Sequence, residues 1–285
     1  MTGTTERSKQ RNWQRGRIVQ YTLLIGLAVV TVLIPLWIVV VNSFKPLGEA
    51  NQLGIGLPQT WRIIENYSTV INEGQVLVGL RNTLLIAVPA VVTLVFLSAL
   101  SAWIFARSRG RTSEFTYYVF ISGILIAPAV VTTLLVLQAL GVGGTQFGMV
   151  LFYVGVGLPF AVFLMTGFIK TIPVQFEEAA RIDGAGSFTV FRLVIFPMLR
   201  PVVATTAFLF LLNIWNDFLY PFIFLPGGDR QTLTMSLYNF VQGQLFTINW
   251  NLLFADVVLV NLPLIIGYLF VQRQLVTGLL GAASK

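Results

Sequence analysis

The sequence has 285 residues, of which 56% are hydrophobic and 10% are charged, and its formal net charge is +7. A soluble domain usually has about a quarter of its residues charged, so this composition predicts an all-α membrane protein that crosses the bilayer several times as one bundle. The basic residues lie in short segments beside apolar runs, as in membrane proteins that follow the positive-inside rule, which argues against nucleic-acid binding. Cysteine and histidine are absent, which excludes disulfides, thiol catalysis, zinc sites and imidazole general bases.

The first span follows a basic tail. Residues 1–17 are polar and predict an N-terminal tail, and residues 18–44 contain no charge and are long enough to cross a membrane. The apolar stretch exceeds that of a signal peptide and no cleavage site of small residues follows it, so we expect a transmembrane helix, kinked at Pro35. Residues 45–81 predict an outer loop with a short amphipathic helix around residues 61–71.

Residues 82–169 predict three further spans. Residues 82–106 form the second span. From Phe115 to Ile169 the sequence has no charged residue, which is too long for one helix and suits two. We place them at 115–140 and 147–169, with proline kinks and a glycine-rich turn between them. The second span also carries a ridge of small residues against which another helix can pack closely, namely Ser98, Ala102 and Ala106.

A polar island interrupts the apolar sequence at residues 173–201, which read PVQFEEAARIDGAGSFTVFRLVIFPMLRP. It predicts a helix, a tight turn and a second helix. Glu177 lies four residues before Arg181 and can pair with it, Gly184 is a natural left-handed helix end, and Ser187 can cap a second helix over residues 188–196. By themselves these features also fit an ordinary amphipathic hairpin at the membrane surface.

The last third of the chain predicts two more spans. Residues 202–222 form the fifth span and residues 252–272 the sixth, with a polar outer loop at 223–251 and a C-terminal tail at 273–285. Four residues near the outer end of the fifth span have the spacing of one helix face. They predict either part of a solute path or a polar seam that packs against a partner subunit. These residues are Asn213, Asn216, Asp217 and Tyr220. Asp256 in the sixth span is expected near the membrane interface.

The distribution of charge predicts the orientation. Fourteen of the eighteen lysine and arginine residues fall in the segments 1–17, 107–111, 170–200 and 273–285. Because basic loops stay on the cytoplasmic side, we expect both termini and the polar island to be cytoplasmic. The remaining four basic residues then lie outside, and they are Lys45, Arg62, Arg81 and Arg230.

The polar island also matches a known motif. Its spacing resembles the EAA loop of binding-protein-dependent ABC importer permeases, in which E-A-A is followed by three residues, a glycine, nine residues and I-x-L-P. Two apolar residues depart from that pattern, valine in the isoleucine slot and phenylalanine in the leucine slot. In this family the loop, here residues 170–200, holds the helix that couples the permease to its ATPase. The matching residues are Glu178, Ala179, Ala180, Gly184, Val194, Phe196 and Pro197.

Two further stretches resemble one branch of that family. Residues 215–221 (WNDFLYP) are similar to the W-N-[DE]-[FY]-x-x-P stretch of sugar-transport permeases, and residues 270–279 (FVQRQLVTGL) are similar to the ending of the MalG-like carbohydrate branch. The resemblance implies a MetI-like bundle of six transmembrane helices with a cytoplasmic coupling-helix hairpin, in the bacterial inner membrane.

The same resemblance implies how such a subunit works. Its partners would be a second, usually non-identical permease subunit, two ATPase subunits and an extracytoplasmic solute-binding protein, with membrane lipid around the bundle. The chain would bind no cofactor, because ATP and magnesium belong to the ATPase, and it would catalyse no covalent reaction. It would couple closure of the ATPase to alternating access for a sugar or an oligosaccharide.

Three alternatives remain at the level of sequence. A permease of the same architecture could carry a non-sugar solute such as a glycerol phosphodiester. An ion-coupled secondary transporter is less favoured, because such proteins usually contain internal repeats and acids at the membrane midplane, and we find no repeat. A membrane-embedded enzyme is disfavoured by the lack of histidine, cysteine and clustered acids. A Gly-x4-Gly-Lys-Ser/Thr loop is also missing, so ATP hydrolysis by that route is not expected.

Overall fold

The computed structural model describes residue 17, residues 20–243 and residues 248–283, with the backbone alone from 273 onward. This part of the chain is built from helices and contains no strand. The predicted N-terminal tail, apart from residue 17, and the side chains of the predicted C-terminal tail lie outside the described residues. The helices are α1 (Gln20–Asn42), α2 (Leu47–Ala50), α3 (Ile63–Glu73), α4 (Val76–Arg107), α5 (Arg111–Leu125), α6 (Val130–Ala139), α7 (Gln146–Ile169), α8 (Gln175–Ile182), α9 (Ser187–Met198), α10 (Arg200–Asn216), α11 (Leu219–Phe224), α12 (Leu233–Gln242) and α13 (Trp250–Ala283).

The helices agree with a protein that crosses a membrane several times. Within the described residues, α1, α4, α7 and the Trp250–Gln272 part of α13 are long and apolar enough to span. Two pairs, α5 with α6 and α9 with α10, meet the same criterion together but bend by 116° and 75°. The described part of the chain therefore has up to six spans, if each bent pair is one span, which agrees with the predicted all-α membrane fold.

The chain divides into two compact units. The first contains residues up to 74 and residues 241–259. Its described part includes α1 to α3 and the beginning of α13. Asn66 on α3 donates to the carbonyl oxygens of Ser43 and Lys45 (2.8 and 2.9 Å) and accepts from the amide of Asn251 on α13 (2.8 Å). Asp256, expected near the membrane interface, is fully buried in this unit, and its carboxylate has no hydrogen-bond partner among the described residues.

The second unit contains residues 75–240 and those from 260 onward, and α4 is its longest described helix apart from α13. The small residues of α4 pack against α7, as the ridge predicted: Ser98 and Ala102 are fully buried, and the Ser98 hydroxyl lies 3.3 Å from Sδ of Met165. One apolar cluster surrounds the Arg107 end of α4 and includes Trp103, Ile169 and Phe191. A second cluster lies nearer the Val76 end and includes Ile86, Phe152 and Ile214.

The predicted third span is not one helix. Residues 115–140 were expected to form a single helix kinked at Pro128, but α5 ends at Leu125 and α6 begins at Val130. Ile126 and Ala129 have extended ψ angles of 107° and 108°. Proline disfavours helical geometry in the residue before it and cannot donate to the helix ladder, so Pro128 separates two helices here.

Several observed boundaries of helices and loops also differ from the predicted ones. The outer loop predicted at 45–81 contains α2, α3 and the first turn of α4, and the loop predicted at 223–251 contains α12. The sixth helix was expected to end at 272, whereas its backbone stays helical to Ala283. In the polar island, α9 begins at Ser187 with Gly186 in the preceding position, and no side-chain cap forms there. The expected serine cap is therefore wrong, because Ser187 already lies inside the helix.

Candidate functional site

The first helix of the polar island, α8, ends in a tight left-handed turn. Gly184 has φ of +85°. The amide of Gly184 donates to the carbonyl of Arg181 (3.0 Å) and the amide of Ala185 donates to the carbonyl of Ala180 (2.9 Å). These two bonds define a Schellman ending, which requires a positive φ that glycine adopts at little cost. The predicted left-handed end at Gly184 is confirmed.

The exposed face of α8 carries both charged and apolar side chains. Glu178 and Ala179 are exposed, as are Arg181 and Asp183. Ile182 is 85% exposed in the final turn, which is unusual for so large an apolar side chain. The other motif residues face the bundle, and all four are half-buried: Ala180, Val194, Phe196 and Pro197.

Glu177, the residue before the motif, is held in a buried contact that the sequence did not predict. Its carboxylate accepts from Nε of Arg107 (2.7 Å) and from Nε1 of Trp103 (3.0 Å). A terminal nitrogen of Arg107 also donates to the carbonyl of Ile172 (2.8 Å). The expected pairing of Glu177 with Arg181 is therefore wrong. We call Glu177, Arg107 and Trp103 the clamp.

A sequence signal for the clamp existed. Trp103 and Arg107 are four residues apart at the end of α4, so both side chains lie on one helix face. Arginine in the last turn of an apolar span usually indicates a membrane boundary. That interpretation explains the position of Arg107 without suggesting that it binds a buried acid.

The second candidate site lies where the helix of the predicted fifth span is interrupted. α10 ends at Asn216, Asp217 has an extended ψ of 124°, and α11 begins at Leu219. Pro221 is the cause, because a continuous helix would need its missing N–H to donate to the carbonyl of Asp217. The hydroxyl of Thr234 donates to that carbonyl instead (2.7 Å). The expectation of one uninterrupted helix face is therefore wrong.

The interruption nevertheless brings the four predicted path residues to one cavity of about 540 Å³. The carboxylate of Asp217 accepts from the hydroxyl of Tyr153 on α7 (2.7 Å) and from the backbone amide of Tyr220 (3.3 Å). Trp215, beside them, is buried and donates to the carbonyl of Val260 on α13 (3.1 Å). The cavity is lined by Leu209, Leu212, Asn213, Asn216, Asp217 and Tyr220.

The third feature is a segment, residues 225–240, that contacts α4 near its Val76 end. We call this segment the cap. The side-chain amide of Asn82 donates to the carbonyls of Asp229 and Gln231 (2.7 and 2.9 Å) and accepts from Gln146 (2.7 Å). The hydroxyl of Thr83 accepts from the amide of Leu233 (2.9 Å). The cap is therefore attached to α4 by polar contacts, and part of the predicted outer loop is ordered structure.

Comparisons with known proteins identify the family. Residues 95–280 match the family of binding-protein-dependent transport system inner membrane components. This match covers the clamp, the polar island and the interrupted helix. The chain belongs to this family. Membership confirms the resemblance of the polar island to importer permeases and sets aside the alternative of an ion-coupled secondary transporter.

Individual relatives of this family member match over most of its length. The diacetylchitobiose uptake system permease protein NgcG of Streptomyces coelicolor is 31% identical over 92% of this chain and 87% of its own. A probable starch degradation products transport system permease protein, AmyC of Thermoanaerobacterium thermosulfurigenes, is 32% identical over 94% of this chain and 98% of its own.

Among solved structures, a chain of a bacterial ABC transporter involved in the import of the acidic polysaccharide alginate superposes with a TM-score of 0.81. The superposition covers 92% of this chain and 97% of that one at 24% identity. It shows that the two chains have a common fold.

Proposed function

We propose that this inner-membrane component is the permease subunit of an ATP-driven importer for a sugar or an oligosaccharide. The observation that carries the proposal is the polar island, in which the motif residue Glu178 and the Gly184 turn form an exposed surface on α8. The relatives support the carbohydrate class, since their names refer to diacetylchitobiose, to starch degradation products and to melibiose, raffinose and stachyose.

In this proposal α8 is the docking helix and enters a cleft of a cytoplasmic ATPase subunit. An exposed carboxylate beside an almost fully exposed isoleucine suits a cleft that offers a basic or hydrogen-bonding group next to an apolar wall. Two ATPase subunits would bind ATP and magnesium, and a second, non-identical permease subunit would complete the membrane pathway. The chain itself carries out no covalent chemistry.

The interrupted helix between α10 and α11 would supply this subunit's part of the pathway. Discontinuous helices line substrate sites in transporters because the freed backbone groups need a polar cavity. Amide, carboxylate and phenol groups in one cavity match the hydroxyl groups of a sugar, which both donate and accept hydrogen bonds. The cavity at Asn213, Asn216, Asp217 and Tyr220 therefore favours a polyhydroxylated solute.

The cap would face the extracytoplasmic solute-binding protein. This follows from the orientation in which both termini and the polar island are cytoplasmic, since α4 carries the clamp at one end and the cap at the other. The residues near the end of α12, such as Tyr238 and Asn239, are exposed and would form the surface that contacts that protein.

The docking surface gives the test of this function. We expect Glu178→Lys to weaken binding of the ATPase subunit by about tenfold or more, because a charged contact at an interface is worth a few kcal/mol once its partner is left unpaired. Gly184→Ala should act in the same direction, because a left-handed conformation costs a residue with a Cβ about 1–2 kcal/mol. The measurements are pull-down of the ATPase subunit, stimulated ATP hydrolysis and solute uptake by the purified complex.

Gly186→Ala is the matched control for Gly184→Ala. Both glycines have open space where a Cβ would lie, but Gly186 has φ of −68°, which any residue adopts. Gly186→Ala should therefore bind the ATPase subunit like the wild type, and Arg192→Ala, outside the motif core, should be mild. If Glu178→Lys and Gly184→Ala both leave pull-down, hydrolysis and uptake unchanged, α8 is not the docking helix.

A further inference from the structure

We propose that Glu177 is a positioning residue that ties the docking helix to α4, so that a movement of α8 carries α4 and the cap with it. The inference rests on the proposed docking of α8. It adds a route by which a movement of α8 is transmitted through α4 to the cap.

Glu177 attaches α8 to α4 through buried polar contacts. Glu177 is the only buried residue of α8, with 3% of its surface exposed, and the other seven residues of the helix are exposed or half-buried. A helix usually attaches to its neighbours through an apolar face. Here Ala180 packs against the apolar cluster that contains Trp103. A buried carboxylate adds two further contacts, because both of its oxygens have a donor on α4.

The clamp is built to be rigid. The side chains of Arg107 and Glu177 are 18% and 4% exposed, so water competes little for their bond. Trp103 packs against Phe191 of α9 with ring centroids 5.6 Å apart, which fixes the indole N–H toward the carboxylate. Arg107 also binds the carbonyl of Ile172, just before α8. Leaving one partner of a buried ion pair uncompensated is strongly unfavourable, so α8 and this end of α4 should move as one body.

The other end of α4 is tied equally closely to the cap. α4 is one helix of 32 residues that runs from the clamp to Asn82 and Thr83. At that end Gly79 lies so close to the cap that a Cβ would come within 2.9 Å of the Leu233 backbone. A displacement of α4 at the clamp would therefore act on the cap through the polar contacts of Asn82 and Thr83.

Glu177 and Glu178 thus have different roles although they are adjacent. Glu178 points outward and would determine whether the ATPase subunit binds. Glu177 points into the bundle and would determine whether binding and closure of that subunit move the bundle. Loss of the clamp should uncouple hydrolysis from uptake while the docking surface stays intact.

The experiment compares Glu177→Gln, Arg107→Gln and the double variant in the assembled complex. Glutamine keeps the shape of Glu177 and removes its charge. We expect pull-down of the ATPase subunit to be retained and the solute imported per ATP hydrolysed to fall by roughly tenfold, within the range typical of coupling between sites. The double variant should lose no more than the more severe single variant, because both substitutions break the same contact. Arg109→Gln, which changes a neighbouring exposed arginine, is the matched control and should resemble the wild type.

The outcomes separate the two proposals. Wild-type uptake per ATP in Glu177→Gln with the ATPase subunit bound would overturn the role of Glu177, and so would a loss of uptake that only follows a loss of pull-down. If the charge variants fail to accumulate in the membrane, Trp103→Phe carries the test, since it removes the hydrogen bond to Glu177 and keeps an aromatic, though smaller, side chain. An unchanged uptake per ATP in that variant would also count against the proposal. Failure of the docking proposal would instead appear as wild-type pull-down, hydrolysis and uptake in both Glu178→Lys and Gly184→Ala.

Discussion

Asp217 binds three separate parts of the chain. Its carboxylate accepts from Tyr153 on α7 and from the first turn of α11, and its backbone carbonyl accepts from Thr234 of the cap. A residue with so many fixed partners keeps one orientation, so in the proposed pathway the cavity beside it would be shaped before a solute enters. Preorganised polar groups of this kind bind with less loss of entropy than flexible ones.

Single cysteines can test whether this cavity is open to water. The chain has no native cysteine, so an introduced thiol gives an unambiguous signal. Asn213→Cys and Asn216→Cys should react with a small water-soluble thiol reagent, at rates that change with the nucleotide state of the complex. Ile214→Cys is the control on the same helix and should stay protected, because Ile214 is buried.

Protection of Asn213, Asn216, Asp217 and Tyr220 variants alike in every nucleotide state would contradict a pathway role. It would favour the alternative stated from the sequence, a polar seam that packs against a partner subunit. The two interpretations differ in whether water reaches the side chains, which is what the reagent measures.

The carbonyl of Asp217 gives a second prediction. Thr234→Val should destabilise the protein by about 1–3 kcal/mol, because it removes the donor of the freed carbonyl of the half-buried Asp217. Pro221→Ala restores an N–H four residues later that can donate to the same carbonyl. The double variant Pro221→Ala/Thr234→Val should therefore lose less stability than Thr234→Val alone. Thermal unfolding of the purified protein measures each variant, and strictly additive losses would contradict this account of the interruption.

At the scale of whole elements, the contact between α4 and the cap depends on a glycine. A Cβ at Gly79 would lie 2.8 Å from Oγ of Ser236 and 2.9 Å from Cα of Leu233. Since the nearest backbone atom cannot rotate away, Gly79→Ala should push the cap off α4 and cost about 1–3 kcal/mol, the usual range for overpacking. A lower midpoint of thermal unfolding and reduced uptake are the expected results.

Gly155→Ala is the control for this substitution. Gly155 also lies within a membrane-spanning helix, but a Cβ there meets no atom within 4 Å. Alanine favours helix more than glycine does, so Gly155→Ala should be neutral or slightly stabilising. Equal effects of the two substitutions would mean that the close approach at Gly79 does not hold the cap.

The helical type of the membrane-spanning segments could be predicted from the sequence, because long uncharged runs require helices in a membrane. The interruptions could not be located in the same way. Pro128 and Pro221 break their helices, whereas Pro89, Pro159 and Pro263 lie inside continuous ones. Whether a proline interrupts or only kinks a helix depends on which neighbours satisfy the freed carbonyl. For Pro221 that neighbour is Thr234, 17 residues after the carbonyl and outside the helix.

In the candidate sites too, features set by local sequence could be predicted and those set by distant contacts could not. The Gly184 turn was predictable, since a left-handed helix end needs only local sequence. The clamp was not, because Glu177 has an arginine four residues later that satisfies the helical pairing rule, and its actual partner is 70 residues away on another helix. Local spacing cannot decide between a surface pair and a buried one when both are sterically possible.

At the scale of the whole molecule, orientation is the prediction that supports all the others. A phosphatase reporter that is active only outside the cytoplasm should be silent when fused after Lys285 and active when inserted after Gly243. Gly243 is exposed and follows α12, so an insertion there leaves the contacts of Asp229 and Gln231 with Asn82 undisturbed. The physical reason is the charge asymmetry of the loops, which holds basic segments in the cytoplasm.

An active reporter after Lys285 together with a silent one after Gly243 would show that the protein has the opposite orientation in the membrane. The polar island would then lie outside the cell, where no ATPase subunit could bind it. Enzyme activity in intact cells, compared with the amount of fusion protein in the membrane, distinguishes the two orientations.

The two ends of α4 also differ in when they can be completed during synthesis. The clamp joins residues 70–74 positions apart, whereas Asn82 finds its acceptors 147–149 positions later. A nascent chain that has passed Glu177 therefore contains every group of the clamp, while the amide of Asn82 still awaits both carbonyls. Translation therefore makes all groups of the clamp available before those that attach the cap to the other end of α4.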